Sequence, residues 1–179
     1  TDTGGHANGL YNYLWVGSGY LSYGNLTINI EPGTNRFYKS TSTIGVLGNL
    51  NIIKGEHQLA STTHVAGNII NNGILTATGI LSLATWSNAA VTASTNAQTI
   101  SGSGVFRNLA TSPTANLTSL TVNNSNATGV TLNVPLSVSG TLNMTSGIIN
   151  TTNTNLLTLG TATAAGTLLG TPSATNMVK

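Results

Sequence analysis

Apolar and polar side chains alternate over a long stretch in the C-terminal half of the chain. Between residues 120 and 148 almost every apolar residue occupies an even position: Leu120, Val122, Val130, Leu132, Val134, Leu136, Val138, Leu142, Met144 and Ile148. A period of two places these side chains on one face of a strand, whereas a helix needs apolar residues three and four positions apart. The intervening Thr, Asn and Ser residues are poor helix formers. The stretch therefore predicts short strands that bury one common face.

Glycine-containing corners interrupt this alternation and open new strands. A glycine, a polar or small residue and an aliphatic residue recur in Gly24-Asn25-Leu26, Gly48-Asn49-Leu50, Gly67-Asn68-Ile69 and Gly140-Thr141-Leu142. Glycine supplies the backbone freedom that a tight corner needs, and asparagine tolerates the same conformations while bonding locally. Because the copies are unevenly spaced, we interpret them as a degenerate repeat.

The shortness of the predicted strands separates the candidate all-β folds. A hairpin meander or an immunoglobulin-like sandwich also has alternating strands, but at regular spacings of about 8 to 12 residues. Here many predicted strands are shorter and are separated by only a few corner residues. Such strands bury little in a flat sandwich, whereas stacked coil on coil they form a column of aliphatic side chains. We therefore predict a right-handed parallel β-helix, a β-solenoid with short irregular coils, in which Asn and Thr form ladders along the axis.

Charged residues make up only 4% of the 179 residues, against about 25% in an ordinary soluble domain. In a β-helix this scarcity avoids stacking like charges in successive coils. The net charge of +2 comes without a cluster of Lys or Arg, so we do not expect nucleic-acid binding. The chain has no cysteine for a disulfide or a thiolate metal site, and no apolar run long enough for a membrane span.

The ionisable residues form no recognisable catalytic or metal-binding motif. The three carboxylates are Asp2, Glu31 and Glu56, and a glycosidase pair would have to combine the last two. Glu56, His57 and His64 lie in one segment, but adjacent residues on a strand point to opposite faces, so Glu56 and His57 are not expected to share a site. We predict no catalytic residue, no metal site and no cofactor.

Thr-x-Thr pairs raise the possibility of ice binding, because a flat array of threonines on a solenoid face would order water. The pairs are Thr41/Thr43, Thr76/Thr78, Thr152/Thr154 and Thr161/Thr163. An ice-binding array needs a constant period, and these gaps are unequal. The strand propensity of threonine is the simpler explanation.

The aromatic-rich start of the chain is the best candidate contact surface, formed by Tyr11, Tyr13, Trp15, Tyr20 and Tyr23. The first three alternate and would share one face, which could stack on sugar rings or contact a protein partner. The alternative is that these residues form a hydrophobic cap over the open end of the first coil. Residues 1–40 are accordingly expected to form an aromatic-rich cap or an elaborated first coil.

The stretch from Val138 to Thr152, followed by Asn155-Leu156-Leu157-Thr158-Leu159-Gly160, resembles repeat regions of very large secreted surface proteins of Bacteroidota. So does Leu120-Thr121-Val122-Asn123-Asn124, and the resemblance is best over residues 115 to 170. It implies a β-helical stalk or passenger region, exported by the type IX secretion system and displayed as an adhesin. The C-terminal sorting domain of that family does not occur within these residues. No catalytic residue is implied.

We therefore expect a single β-solenoid segment over residues 1–179, taken from a longer chain. Its expected function is that of a non-catalytic structural or adhesive part of a secreted protein on the bacterial cell surface. Its expected partners are the secretion machinery during export and a cell-surface or polysaccharide ligand. A carbohydrate-binding or polysaccharide-degrading β-helix is the alternative, and a groove grouping Glu31, Glu56, Arg36 or Lys54 would favour it. Ice binding is the third hypothesis.

Overall fold

The computed structural model describes residues 12–14, 21–31, 37–108 and 116–179, with the backbone alone at 12–14. The described residues form strands, turns and bends and contain no helix, so none could cross a membrane as a long apolar helix. In chain order the strands are β1 (Asn12–Leu14), β2 (Leu21–Tyr23), β3 (Leu26–Asn29), β4 (Tyr38–Ser40), β5 (Ile44–Val46), β6 (Leu50–Lys54), β7 (Glu56–Leu59), β8 (Thr63–Val65), β9 (Ile69–Asn71), β10 (Ile74–Ala77), β11 (Ile80–Leu83), β12 (Thr85–Ser87), β13 (Ala90–Thr92), β14 (Gln98–Ser101), β15 (Val105–Arg107), β16 (Leu117–Asn123), β17 (Val130–Leu132), β18 (Leu136–Asn150), β19 (Leu157–Leu159), β20 (Thr167–Leu169) and β21 (Asn176–Val178).

Strands that are neighbours in a sheet are mostly three strands apart in the chain. The first row, a five-stranded sheet, has the order β1-β4-β7-β10-β15. The second row runs β2-β5-β8-β11-β16 and the third row runs β3-β6-β9-β14-β17. The long strand β18 joins the second and third rows into one sheet, and β19, β20 and β21 each pair with β18.

All pairs in these rows are parallel. The chain thus passes repeatedly through one strand of each row, and we call each such set a unit. Unit 1 is β1–β3, unit 2 is β4–β6, unit 3 is β7–β9, unit 4 is β10, β11 and β14, unit 5 is β15–β17, unit 6 is β18 and unit 7 is β19–β21. The prediction of an all-β chain built from short parallel strands is confirmed.

A hairpin inserted into unit 4 is the exception to this parallel order. Strands β12 and β13 pair antiparallel, with Trp86 opposite Val91. Their turn contains Asn88 and Ala89 with φ of 50° and 63°, as two-residue hairpin turns of the type favoured by strand twist require. The hairpin therefore leaves the row pattern and forms a separate two-stranded sheet.

The core consists of inward side chains that lie in register from unit to unit. In the second row Leu81 is aligned with Leu120, Leu120 with Leu142 and Leu142 with Leu168. In the third row Leu50 is aligned with Ile69 and Ile69 with Ile100, all fully buried. Parallel strands align side chains of equal register, so successive units add to one continuous apolar column.

The alternating stretch enters this core as predicted. Nine of its ten even-numbered apolar residues are buried, and Val134 is partly buried and packs against them. The alternation fails at one corner, where Ile148 and Ile149 are both buried. Gly147 precedes them with a φ of +108°, which turns the chain between the second and third rows and resets the inward face.

Three of the four glycine repeats occupy the corner that opens a third-row strand, just before β3, β6 and β9. Their asparagines form a ladder: the Asn25 side-chain oxygen accepts from the Asn49 backbone N–H, and that of Asn49 accepts from the Asn68 N–H, each at 2.8 Å. Asn68 accepts from the Thr99 N–H at 2.9 Å. An asparagine ladder is therefore present, but each of these side chains bonds to the next backbone N–H, whereas the sequence predicted bonds between equivalent side chains. The fourth copy, at Gly140, lies inside β18.

Candidate functional site

The outer side of the first row carries a group of charged and polar side chains that contact one another across the strands. Lys39, Gln58, Thr76 and Arg107 lie at equivalent register positions on four neighbouring strands. Tyr13 is paired with Lys39 in the same register. Because neighbouring strands are about 4.8 Å apart, these residues form a line across the sheet, which we call the polar line.

Glu56 sits beside the polar line and binds three of its neighbours. Its Oε1 accepts from Gln58 Nε2 at 3.0 Å and from Thr76 Oγ1 at 2.6 Å, and it forms an ion pair with Arg107 Nη2 at 3.0 Å. Arg107 Nε also donates to Thr76 Oγ1 at 2.9 Å. The cluster joins strands of units 3, 4 and 5, and its members are held by charge-assisted hydrogen bonds.

This ion pair is shielded although it lies on the outer side of the sheet. The side chains of Arg107 and Glu56 are 19% and 13% exposed. Partial exclusion of water strengthens the attraction between the two charges and fixes the geometry of both side chains. The cluster can therefore cross-link three units, while Lys39, Gln58 and Arg107 of the polar line stay partly exposed beside the buried Thr76.

The remaining described carboxylate has a different partner. Glu31 forms an exposed ion pair with Lys54, so Glu31 and Glu56 bind separate cations. Asp2 and Arg36 lie outside the described residues. The grouping that would favour an enzyme, Glu31 and Glu56 with Lys54 in one cluster, is not formed among the described side chains.

Glu56 and His57 lie on opposite sides of β7, as the strand periodicity predicts. His57 is fully buried in the core beside Leu75, and its ring meets that of Tyr38 edge to face with centroids 4.9 Å apart. Neither ring nitrogen of His57 has a hydrogen-bond partner among the described residues, and burial lowers its pKa to about 3. The imidazole is therefore held neutral, because protonation would place a positive charge in the core without water or a hydrogen-bond partner among the described residues.

His64 lies in a strand of the second row, whereas Glu56 and His57 lie in a strand of the first row. It lies on the outer side of the second row, 7% exposed, and stacks on Trp86 of the hairpin with ring centroids 5.9 Å apart. Burial lowers the pKa of His64 as well. In the part of the chain that the structure describes, no three His, Cys, Asp or Glu residues are grouped to hold a metal ion.

The predicted aromatic surface is only partly within the described residues. Tyr11, Trp15 and Tyr20 lie outside them, and Tyr13 is described only as a position in β1. Tyr23 occupies an inward register in the second row, aligned with Val46, and packs against the core. Burial, with a contribution from the nearby Tyr23 hydroxyl, raises the pKa of Tyr38.

The threonine pairs occupy unlike surroundings. Thr76 is buried in the Glu56 cluster, whereas Thr78 is exposed. Thr161 and Thr163 lie in a turn and contact each other through their hydroxyls at 3.4 Å, and Thr152 and Thr154 do so at 3.2 Å. These four pairs therefore do not share one flat face.

Two contacts in these regions were missed in the sequence. Arg107 and Glu56 are far apart in the chain, and the same is true of Gly45 and Trp86. The only available signal was that Arg107 is the one charged residue between Glu56 and Lys179. Comparisons with protein-family models, with curated proteins and with solved structures found no match.

Proposed function

We propose that this chain is a non-catalytic extracellular scaffold, a right-handed parallel β-helix segment of a secreted bacterial surface protein that presents or forms an adhesive surface. The proposed hand follows from the strong preference of parallel crossover connections for the right-handed sense. The proposed cellular context follows from the sequence resemblance described above.

The observation that supports a scaffold most directly is the alignment of equivalent positions through successive units. The leucine column of the second row and the asparagine ladder before the third row both run across units at constant register. Such alignment ties each unit to the next by backbone bonds, side-chain bonds and apolar contact. A rod built in this way resists bending and separation of its units, which suits a stalk.

The Glu56 cluster supports the same function. Its carboxylate already accepts hydrogen bonds from two side chains and pairs with Arg107. Because all these contacts use Oε1, one carboxylate oxygen cross-links three strands. We infer that the cluster strengthens the outer side of the first row.

In this proposal the secretion machinery is the partner during export, with a type IX system as the expected route. The later partner is a cell-surface or polysaccharide ligand. The aromatic residues at the start of the chain, Tyr11, Tyr13, Trp15 and Tyr20, are the proposed contact residues. Tyr23 is not included, because it packs inward against the core.

The scaffold hypothesis is tested by coupling the purified chain to beads and measuring their retention on bacterial surfaces and immobilised polysaccharides. We expect retention that is lost when the chain is unfolded before coupling, and no new reducing or unsaturated ends in the polysaccharide. Release of such ends, abolished by Glu56→Gln, would contradict the non-catalytic part of the proposal and favour an enzyme.

A second candidate function, polysaccharide binding on the polar line, is favoured by the alignment of Lys39, Gln58, Thr76 and Arg107 with Tyr13. We expect Gln58→Ala to reduce retention on polysaccharide several-fold. Thr27→Ala, which changes an exposed polar residue of the third-row strand β3, is the matched control. Equal retention by both variants would exclude the polar line as the binding surface.

A further inference from the structure

The β12–β13 hairpin folds back over the outer side of the second row. Ser22 Oγ of unit 1 donates to the Trp86 carbonyl at 3.1 Å, and the Trp86 ring stacks on His64 of unit 3. In unit 2, Gly45 leaves the space that Trp86 occupies, because a Cβ there would lie 2.6 Å from the Trp86 carbonyl oxygen. Trp86 of unit 4 is thus packed across three earlier units through its backbone carbonyl and its ring.

The contact between Trp86 and the sheet is closed, and two buried polar atoms of the second row lie at it or beside it. Trp86 is 6% exposed and His64 is 7% exposed. Ser82 is aligned with His64 on the neighbouring strand and is 1% exposed. Among the described residues, neither His64 Nδ1 nor Ser82 Oγ has a hydrogen-bond partner. Unsatisfied buried polar atoms make this contact easier to open than the apolar core.

Among the described residues, the strands packed around His64 carry no charged group that would stabilise its protonated form. Gly45 and Ser82 are aligned with His64 on the two neighbouring strands, and Trp86 stacks on its ring. Strands β5, β11, β12 and β13 carry no acidic, basic or other titratable side chain. The one titratable residue of β2, Tyr23, packs inward against the core. A proton added at the buried Nδ1 would therefore have no hydrogen-bond acceptor among the described residues while Trp86 stays in place.

We propose that the β12–β13 hairpin is a pH-sensitive latch, closed over the second row while His64 is neutral and released when His64 is protonated. The lowered pKa of His64 sets the direction: in the closed form the imidazole binds its proton more weakly than in the open form. Lowering the pH below about 6.5 thus favours the open form, and raising it restores the closed form.

The test uses Trp86 as the reporter. The chain has two tryptophans, so Trp15→Phe leaves Trp86 as the sole indole. In this variant we expect acrylamide quenching of Trp86 to rise several-fold and its emission to shift to longer wavelength between pH 7.5 and 4.5, while the far-UV circular dichroism stays unchanged. Gly45→Ala, added to Trp15→Phe, should give strong quenching at every pH, because its Cβ displaces Trp86.

His64→Phe in the same background is the matched control, because it keeps an aromatic ring against Trp86 but cannot be protonated. We expect its quenching to stay low and independent of pH. The latch is excluded if Trp86 quenching does not change with pH in the parent variant. It is also excluded if His64→Phe shows the same change, or if quenching rises only together with loss of the circular dichroism signal.

Discussion

The central units, 2 to 4, and the last unit, 7, contain similar residues but differ in how their strands are flanked. Strand β8 pairs with β5 on one side and β11 on the other, and Ile44 and Leu81 beside it are fully buried. Strand β20 pairs only with β18 among the described residues. Its Leu168 is 50% exposed, although it is aligned with the buried Leu142.

The difference teaches that burial in this protein is set by neighbours and not by the local pattern. The last unit has the same alternation of threonine and leucine, yet Leu156, Leu168, Leu169 and Val178 are all exposed by 44% or more. Its connecting segments bond within themselves, as in the Thr161 N–H to Ala164 carbonyl bond of 2.7 Å. A strand with one flanking strand leaves its inward side chains exposed, because no second strand closes the column over them.

The largest expected effect on the free energy of unfolding comes from shortening leucines of the aligned second-row column, one in unit 4 and one in unit 7. We expect Leu81→Ala to reduce the free energy of unfolding by about 2 to 5 kcal/mol, since it leaves a cavity in a closed core. Leu168→Ala should cost less than about 1 kcal/mol, because the side chain is already half exposed. Urea unfolding followed by circular dichroism measures both. Equal losses would mean that unit 7 is covered in solution.

Acid should destabilise the central units selectively through His57. Its folded pKa of about 3 lies below the usual 6.5, so stability is retained above pH 6.5 and is lost as the pH falls towards 3. The expected slope is about 1.4 kcal/mol per pH unit, or about 3 kcal/mol by pH 4. Urea midpoints of the native chain and of His57→Leu at pH 4 to 8 isolate this contribution as their difference.

The last unit offers the control for this pH effect. Residues 151–179 contain no histidine or carboxylate side chain. The opening free energy of β19–β21, from hydrogen exchange corrected for intrinsic rates, should therefore change little over the same pH range. A parallel slope in His57→Leu would show that other groups cause the acid sensitivity.

Two glycines of the repeated corner differ in the space around them, so alanine substitutions at the two positions should differ in their effect on stability. A Cβ at Gly67 would lie 2.4 Å from the Gly48 carbonyl oxygen, whereas a Cβ at Gly24 would meet nothing within 4 Å. We expect Gly67→Ala to cost about 1 to 3 kcal/mol and Gly24→Ala to change stability by less than about 0.5 kcal/mol. Thermal unfolding of the two variants tests the stacking of units 2 and 3, and equal melting temperatures would contradict it.

The smallest expected effect distinguishes the shielded ion pair from the exposed one. Glu56→Gln should destabilise the chain by about 1 to 2 kcal/mol, because it weakens hydrogen bonds to a charged group that is mostly shielded. Glu31→Gln should stay within about 0.5 kcal/mol, because its pair with Lys54 is exposed. Adding salt should reduce the difference in unfolding free energy between the two variants only slightly if the Glu56 cluster is shielded as described.

Much of the pattern of strands, inward faces and corners could be predicted because it depends on local alternation. The even-numbered apolar residues between 120 and 148 predicted the inward face of β16, β17 and β18. The prediction failed only after Gly147, where a corner shifts the inward face by one residue. The glycine repeat predicted the third-row corners at Gly24, Gly48 and Gly67. The same pattern at Gly140 lies within a strand, because a glycine permits a corner but does not require one.

The candidate site was much less predictable. The polar line and the Glu56 cluster combine residues that are distant in the chain, and the register between units decides whether they meet. Corner and insertion lengths set that register, and no local period encodes them. The hairpin contact between Trp86 and His64 has the same origin, since only the folded chain brings unit 4 over unit 3.

The sequence by itself determined the inward and outward faces of the strands, the near absence of charge and the places where corners can form, because these follow from side-chain chemistry at short range. Only the tertiary structure decided which equivalent positions are aligned, which leucines are buried and where Glu56, Arg107 and Trp86 find their partners. The physical reason is that burial and ion pairing in stacked units depend on the flanking unit, and its register is fixed by connections of unequal length.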